Sequence, residues 1–218
     1  MPMLRKNCVM DEIIVIGGGG HAKVLISVLK KAMYRIKGYT DNQDHGVILG
    51  VPYLGNDGIL RDFANKIPSV NTIIGIGKVD ASSRRLSLQN EIALLGFDFP
   101  AICSPHSIVN EAVSLGAGTV VLDGVVISSG SEIGRACILN SHSTIEHDCL
   151  IGENVHIAPG VTLSGGAKIG DNCMVGTGAN VIQSISICAG SLIGAGATVI
   201  EDITVPGTYV GNPAKRIL

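Results

Sequence analysis

The sequence predicts two domains: a small Rossmann-like α/β domain over residues 1–105 and an all-β solenoid of parallel strands over residues 106–218. Three observations support this prediction. Strand and helix patterns alternate in the first domain, and Val, Ile or Leu returns every six residues in the second. The chain also has 29 glycines in 218 residues but only 3% aromatic residues. This composition indicates a core of small aliphatic side chains joined by many tight turns.

The composition excludes several classes of protein. A hydrophobic content of 46% and a formal net charge of -2 argue against disorder. Few aromatic residues and the near-neutral charge argue against a nucleic-acid binder. No segment approaches the ~20 apolar residues of a membrane span, and Asp11 and Glu12 interrupt any signal-peptide core after Arg5 and Lys6. We therefore expect a cytoplasmic protein that binds neither nucleic acid nor membrane.

Alternating apolar segments in the first domain predict a βαβαβ unit with a parallel sheet. The predicted strands cover residues 13–16, 36–40 and 72–76, and the predicted helices cover residues 21–33, 57–65 and 80–95. Apolar residues at helical spacing give the first helix one buried stripe. The members of that stripe are Ala22, Leu25, Ile26, Leu29, Ala32 and Met33.

A glycine-rich turn follows the first predicted strand. The segment from Gly17 to Ala22 fits G-x-G-x-x-A, and Asp41 follows about 20 residues later, as in a dinucleotide-binding fingerprint. A single βαβαβ half is too small for a full dinucleotide fold. The glycines would still let backbone N–H groups approach a phosphate at a helix N-terminus. The alternative is a tight strand–helix turn that binds no ligand.

The second domain repeats with a period of six residues. All 17 positions from Val109 to Val205 in steps of six are Val, Ile or Leu. The fourth position of the repeat is Gly, Asn, Asp or His in 13 of 17 repeats, and these residues tolerate positive φ. Each repeat therefore predicts a short strand and a left-handed corner, with three strands in each 18-residue coil. Cys137, Cys149 and Cys173 occupy the inward fifth position, where we expect small core residues and no disulfides.

This register turns two histidines outward. His147 occupies a third position, at a corner, and His156 occupies a sixth position, on a flat face. An outward imidazole is either solvated or part of a site, and the polar neighbours Asn140 and Glu146 favour a site. A histidine can accept a proton at neutral pH. His142 falls on a fourth position, so we expect a structural role for it.

The segment from Leu139 to Cys149, LNSHSTIEHDC, resembles the catalytic stretch of the hexapeptide-repeat nucleotide-sugar N-acetyltransferases, including sialic-acid O-acetyltransferase-like proteins. The resemblance covers nearly the whole chain, and it implies that the solenoid is a left-handed parallel β-helix. It also implies acetylation by acetyl-CoA of the 4-amino group of a nucleotide-linked amino-dideoxy sugar for bacterial glycans. UDP is the expected nucleotide, and no metal is expected.

The resemblance implies a role for each matched residue of the solenoid. His147 corresponds to the general base, and Asp148 to the residue that orients it, although Asp148 could also be only a corner residue. The oxyanion would be held by the amide of Gly165, one coil above His147. Lys215, near the CoA phosphates, could instead belong to a basic cap that ends the stack. The positions matched to acetyl-CoA contacts are His156, Gly165, Thr177, Ala195 and Lys215. For His156 the resemblance leaves two contacts open, one with acetyl-CoA and one with the acetamido group of the sugar.

The resemblance also implies that the first domain holds the nucleotide sugar. Gly20 and His21 would lie at the phosphates or the sugar, and Asp41 and Asn42 near the nucleoside. The segment from Lys78 to Asp80 departs from the Asn- and Arg-rich residues that related proteins often have here. The identity of the nucleotide therefore stays open. The remaining positions matched to substrate contacts are Gly77 and Asn140.

Three other functions fit parts of the sequence. The same scaffold could O-acetylate sialic acid or a related sugar. A zinc enzyme similar to the γ-class carbonic anhydrases would use His142, His147 and His106. Since His106 lies two coils away, roughly 9–10 Å along the axis, ligation would need a neighbouring subunit. A non-catalytic solenoid would present regular exposed Thr or Asn ladders, which the sequence lacks.

Outward aliphatic residues predict that the chain assembles into a homotrimer. We expect them on one side of the coil, where another chain would cover them. The resemblance implies the same assembly, with active sites between subunits. The residues in this set are Leu122, Val126, Ile138, Ile182 and Ile200.

Overall fold

The computed structural model describes residues 12–66 and 70–217. The residues on which the signal-peptide expectation depends, Arg5, Lys6 and Asp11, lie outside these ranges, as does Cys8. Within the described ranges, no helix combines the length and the apolar character that a bilayer crossing requires.

The first domain is a four-stranded parallel sheet flanked by three helices. The strands run in the order β3-β2-β1-β4. The sequence predicted three of these strands and missed β3, a three-residue strand with no continuous apolar run. A single 3₁₀ turn leads into α2. The elements are β1 (Glu12–Ile16), α1 (Gly20–Lys31), β2 (Arg35–Thr40), β3 (Tyr53–Gly55), the 3₁₀ turn (Asp57–Ile59), α2 (Leu60–Lys66), β4 (Asn71–Ile74) and α3 (Arg84–Ala93).

The buried stripe of α1 is confirmed except at its end. Ala22, Leu25, Ile26 and Leu29 are buried, together with Val28. The sequence predicted that the stripe extends to Met33, but in the structure it does not. The helix ends at Lys31, and Met33 has a φ of 63° and a side chain that is 69% exposed.

The second domain is a three-sided solenoid of two-residue strands. Strands 18 residues apart pair in parallel, for example Glu132 with Leu150, which confirms the predicted coil length. The first strand lies before residue 105, so the predicted domain boundary stays a prediction. The strands are Ile102–Cys103, Ile108–Val109, Ser114–Leu115, Val120–Val121, Val126–Ile127, Glu132–Ile133, Ile138–Leu139, Thr144–Ile145, Leu150–Ile151, His156–Ile157, Thr162–Leu163, Lys168–Ile169, Met174–Val175, Asn180–Val181, Ser186–Ile187, Leu192–Ile193 and Thr198–Val199.

The tail leaves the lattice and caps the last coil. Thr208–Val210 pairs in parallel with Leu192–Ile193. Lys215–Arg216 then pairs antiparallel with Thr208–Val210. Val205, predicted as the last repeat position, is in no strand and is 52% exposed. The six-residue pattern therefore ends one repeat earlier than the sequence predicted.

The corners of the solenoid follow the predicted register. Every fourth position from residue 112 to residue 196 has a positive φ. Ala112, Ala136 and Ser184 share this conformation, although their residue types gave no such signal. The first and fifth positions fill the interior; Cys137, Cys149 and Cys173 are buried there with free thiols.

The three sides of the solenoid differ in what covers them. The domain face is the sheet that contains Ile102, Ile138 and His156, and the first domain packs on it. The second face contains Ile108–Val109 and the third face contains Ser114–Leu115. Along the chain, each coil passes from the domain face to the second face and then to the third.

The predicted aliphatic patch is partly wrong. Leu122 and Ile138 are each 1% exposed, because they pack in one apolar cluster with α1 of the same chain. Val126, Ile182 and Ile200 remain half-buried or exposed on the second face. The surface that could be covered by another chain is therefore smaller than the sequence predicted.

Close packing between coils predicts a position-dependent cost of adding a methyl group. A Cβ at Gly134 would lie 2.6 Å from the backbone of Gly152, whereas a Cβ at Gly160 would meet nothing within 4 Å. We expect Gly134→Ala to lower the free energy of unfolding by about 2–3 kcal/mol. Gly160→Ala should cost about 1 kcal/mol, the price of a left-handed alanine. Urea unfolding measures both values, and equal losses would contradict the tight coil-to-coil packing.

Candidate active site

His147 and Asp148 form a hydrogen-bonded pair at the corner between the second and third faces. The His147 Nδ1 atom lies 2.8 Å from the Asp148 carboxylate, and both side chains are exposed. Asp148 has a φ of 58°, so it is both a corner residue and a partner of the imidazole. When Nδ1 carries a proton, it donates a hydrogen bond to the Asp148 carboxylate. The opposite ring nitrogen, Nε2, is then unprotonated and can accept a proton.

Gly165 lies directly above this imidazole. A Cβ added to Gly165 would sit 2.5 Å from the His147 Nε2 atom, so only glycine leaves room for the ring. Among the described residues, the Gly165 N–H donates to no protein acceptor. A basic nitrogen and a free backbone donor thus stand side by side. This arrangement can remove a proton and stabilise a nearby oxyanion.

The glycine-rich turn leaves open space at the start of α1. Cβ atoms added at Gly19 or Gly20 would meet nothing within 4 Å. Within the described part of the chain no side chain caps this helix, and its first turn contains no acidic residue. The N-terminal N–H groups of α1 are therefore available to an anion.

Asp41 closes one side of this turn. Its carboxylate accepts hydrogen bonds from the N–H groups of Gly18 (2.7 Å) and Gln43 (3.0 Å). Burial acts to raise the pKa of Asp41, but these N–H groups and nearby His45 outweigh it, and the pKa is lowered. Asp41 therefore stays ionised and fixes the turn. Asn42, next to it, is exposed.

His21 lies inside the first domain at the start of α1. Its Nε2 atom is buried and has no hydrogen-bond partner among the described residues. Burial lowers the pKa of His21 to about 3, and the charges of Arg85 and His156 act in the same direction. The ring is therefore neutral at pH 7 and cannot serve as a base there. Gly77, which is exposed, lies beside it.

Arg85 is a buried cation that joins the two domains. It donates hydrogen bonds to the carbonyl groups of Ile74 and Ile76 at the end of β4, and to that of Ala136 in the solenoid. Burial lowers the pKa of Arg85 to about 10, so it keeps its charge at pH 7. Its described partners are all neutral carbonyls, which leaves a net positive potential beside His21.

His156 is outward from the coil, as predicted, but the first domain covers it and leaves only 8% exposed. Its Nδ1 atom lies 2.6 Å from the carbonyl oxygen of Lys78, and its Nε2 atom lies 3.2 Å from the Asn140 amide nitrogen. Both ring nitrogens are thus used within the chain. The predicted contact of His156 with acetyl-CoA or with the sugar acetamido group stays a prediction.

The remaining predicted residues lie at two further places. Thr177 and Ala195 are exposed on neighbouring coils, at the corner between the domain face and the second face that also contains Asn140. Lys215 is exposed in the tail. The structure therefore brings His21, Gly77, Asn140 and His156 together at the domain face. It does not bring them to His147, whose corner lies opposite that face.

Sequence reasoning missed the residues that join the domains. Arg85 and Gln89 lie on the buried side of α3 with Ile92, and the Gln89 side chain donates to the Ala117 carbonyl at 2.9 Å. The available signal was the i, i+4, i+7 spacing of these three residues, which places two polar groups in the inward stripe of a helix.

The histidines proposed for zinc do not converge in one chain. His142 is exposed, with a φ of 57°, at the corner before strand Thr144–Ile145, whereas His147 lies at the corner after it. Across residues 12–66 and 70–217, no group of three or more His, Cys, Asp or Glu side chains is arranged to hold a metal ion.

Comparisons with known proteins match both domains. Residues 12–91 match the PglD N-terminal domain. Residues 130–165 match the bacterial transferase hexapeptide (six repeats), and residues 166–201 match the hexapeptide repeat of succinyl-transferase. The chain is 32% identical over 138 residues to GDP-perosamine N-acetyltransferase of Escherichia coli O157:H7. The matched part is 61% of this chain and 62% of that relative, less than two thirds of its length.

Solved structures match over nearly the whole chain. The acetyltransferase domain of PglB from Neisseria gonorrhoeae FA1090 is 33% identical with a TM-score of 0.87, over 94% of this chain and 99% of that one. PerB from Caulobacter crescentus, in complex with CoA and GDP-perosamine, is 31% identical with a TM-score of 0.88, over 97% and 100%. These matches confirm the predicted fold class. The chain therefore belongs to the left-handed β-helix, hexapeptide-repeat family of nucleotide-sugar N-acetyltransferases.

Proposed function

We propose that the chain transfers an acetyl group from acetyl-CoA to the 4-amino group of a nucleotide-linked amino-dideoxy sugar. The observation that carries this proposal is the corner pair, in which Asp148 holds Nδ1 of His147 and leaves Nε2 beside the free N–H of Gly165. Similar proteins support it: PerB was solved with CoA and GDP-perosamine, and the PglB domain with acetyl coenzyme A.

The chemistry follows from the positions of these groups. The neutral sugar amine attacks the thioester carbonyl, so a C–N bond forms and the carbonyl oxygen becomes an oxyanion. His147 Nε2 accepts the proton that the amine loses, and the Gly165 N–H donates to the oxyanion. When the C–S bond breaks, the proton on His147 passes to the leaving thiolate of CoA. Asp148 holds the ring in the productive tautomer throughout.

The glycine-rich turn supplies the binding site for the nucleotide in this proposal. Phosphates would accept hydrogen bonds from the N–H groups around Gly20, where the structure has open space. The buried charge of Arg85 favours an anion there. His21 offers a buried, unpaired Nε2 atom that a bound sugar would satisfy. Asp41 and Asn42 would lie near the nucleoside, as in other sheets of this type.

The identity of the nucleobase decides which nucleotide sugar is assayed first. The resemblance of the sequence favours a UDP-linked sugar. Two relatives, one from Escherichia coli and one from Caulobacter crescentus, are named as GDP-perosamine N-acetyltransferases. We therefore propose GDP-perosamine as the first substrate to assay and a UDP-linked 4-amino-dideoxy sugar as the second.

The geometry of one chain also supports a ring of subunits. Asn140, Thr177 and Ala195 lie at one end of the second face, and His147 and Gly165 lie at the other. A head-to-tail contact between these two ends would join the base of one chain to the substrate pocket of the next, and such contacts close into rings. We propose a homotrimer of this kind. Acetyl-CoA would lie between subunits, with Lys215 near its phosphates.

Replacing the proposed base should abolish transfer. We expect His147→Ala to lower kcat by about 10²–10⁴-fold because it removes the imidazole that accepts the amine proton. Release of the CoA thiol measures the rate. His142→Asn is the matched control, since it also changes an exposed corner histidine and asparagine adopts the same φ at residues 154 and 172. Equal losses in both variants, or full activity in His147→Ala, would refute the assignment.

Filling the space at the start of α1 should block the nucleotide without harming the fold. We expect Gly20→Leu to weaken binding of GDP-perosamine by about tenfold or more. The melting temperature should not fall, since leucine favours a helix more than glycine does. Calorimetric titration measures the affinity, and acetyl-CoA binding by the same variant serves as the control. Unchanged affinity for the nucleotide sugar would place its site elsewhere.

A further inference from the structure

A continuous path of hydrogen bonds connects the solenoid to the loop between β4 and α3. The Ser141 N–H donates to the Asn140 side-chain oxygen at 2.8 Å, and the Asn140 amide reaches His156 Nε2 at 3.2 Å. The opposite ring nitrogen, Nδ1, then meets the Lys78 carbonyl at 2.6 Å. A carbonyl oxygen can only accept, so Nδ1 carries the proton and Nε2 accepts from Asn140. The path therefore requires a neutral imidazole in one tautomer.

The surroundings of His156 favour that neutral form. The charged groups that act on the ring come from the first domain and are Lys78 and Arg85, both cations. Burial is the largest cause that lowers the pKa of His156, and these two charges act in the same direction; the hydrogen bond to the Lys78 carbonyl opposes them without reversing the shift. His21, the other titratable group nearby, is itself neutral at pH 7. A protonated ring would also turn a second donor toward the donor group of Asn140.

The loop that receives this path borders the proposed substrate pocket. Gly77 precedes Lys78 and lies beside His21. The Lys78 amine donates to the Ser82 carbonyl at 2.6 Å, which closes the loop on itself. The side chains that tie loop residues 77–82 to the solenoid are His156 and Asn154, which donates to the Ser82 carbonyl at 2.9 Å. Of these two side chains, His156 binds the loop closer to Gly77, because its partner Lys78 directly follows Gly77 in the chain.

We propose that His156 is a positioning residue that holds the Lys78 carbonyl and thereby sets the place of Gly77 and His21 relative to Asn140. The proposal rests on the proposed function, because the pocket that it positions is the one assigned there to the nucleotide sugar. It differs from the direct contact with acetyl-CoA or with the sugar acetamido group that the resemblance implied for His156. In this structure the ring nitrogens hold protein partners from both domains and leave no polar atom for a cosubstrate.

Two substitutions distinguish the hydrogen bond made by Nδ1 of His156 from the hydrogen bond made by its Nε2 atom. In His156→Asn the side-chain amide can replace the Nδ1 donor to Lys78, and in His156→Gln the side-chain oxygen can replace the Nε2 acceptor for Asn140. We expect His156→Gln to raise KM for GDP-perosamine about tenfold, the effect of one lost hydrogen bond. KM for acetyl-CoA should stay within about twofold. His156→Asn, which keeps a donor to the Lys78 carbonyl, should leave KM for the nucleotide sugar close to the wild-type value. A rise in KM for acetyl-CoA in both variants would overturn the proposal in favour of direct contact.

Asn154→Gly is the matched control. It removes the other solenoid side chain bound to this loop, and glycine readily adopts the φ of 54° at that corner. We expect a lower melting temperature but an unchanged KM for GDP-perosamine. An equal rise in KM in Asn154→Gly and His156→Gln would show that any loop anchor has the same effect, and the specific role of His156 would be wrong.

A readout that needs no activity keeps this proposal separate from the proposed function. Long-range ¹⁵N NMR of the histidine rings reports which nitrogen of His156 carries the proton. We expect the neutral ring with Nδ1–H between about pH 6 and pH 8. A ring protonated on Nε2, or one that titrates in this range, would overturn the proposal. If GDP-perosamine and the UDP-linked sugar both fail as substrates while the Nδ1–H form is found, the proposed function fails and the hydrogen-bonded path stands.

Discussion

The left-handed corner at every sixth residue is the constraint on which the rest of the structure depends. Each strand of the coil is only two residues long, so the corners set the direction of the chain. They divide the coil into three sides and bring residues 18 apart into register. Seven corners are occupied by residues other than glycine, at about 1–2 kcal/mol each, and burial of the inward aliphatic side chains offsets this strain. A residue that cannot adopt the left-handed conformation at a corner would therefore disturb the neighbouring coils as well as its own.

This lattice also determines where chemistry can take place. Because the period places residue 165 above residue 147, it creates the pairing of a basic nitrogen with a free backbone N–H. The same period puts His147 at the corner opposite the face that the first domain covers. The proposed nucleotide pocket and the proposed base are consequently separated within a chain. The ring of subunits that we propose is the simplest arrangement that removes this separation.

Much of this architecture was readable from the sequence, and the failures share one cause. The hexapeptide pattern predicted the coil, its corners, the inward cysteines and the stacking of Gly165 above His147. It could not predict what lies against an outward residue. Leu122, Ile138 and His156 all point away from the coil, yet the first domain buries them. Arg85 was missed for the same reason, since its partner in the solenoid, the Ala136 carbonyl group, is 51 residues away in the sequence. Periodicity reports which side of its own element a residue faces, and docking between domains depends on surfaces that no local pattern encodes.

The central claim is that the base and the pocket of one working site come from two different chains. Co-expression of His147→Ala chains with Gly20→Leu chains tests it most directly when the nucleotide sugar is kept well below the wild-type KM, because each variant alone is then impaired in one half of every site. In a closed ring with random mixing, about one quarter of the sites pair an intact base with an intact pocket. We predict that the mixture recovers about one quarter of the wild-type rate of CoA release. A mixture as inactive as either variant alone would contradict the account and place both halves of the site in a single chain.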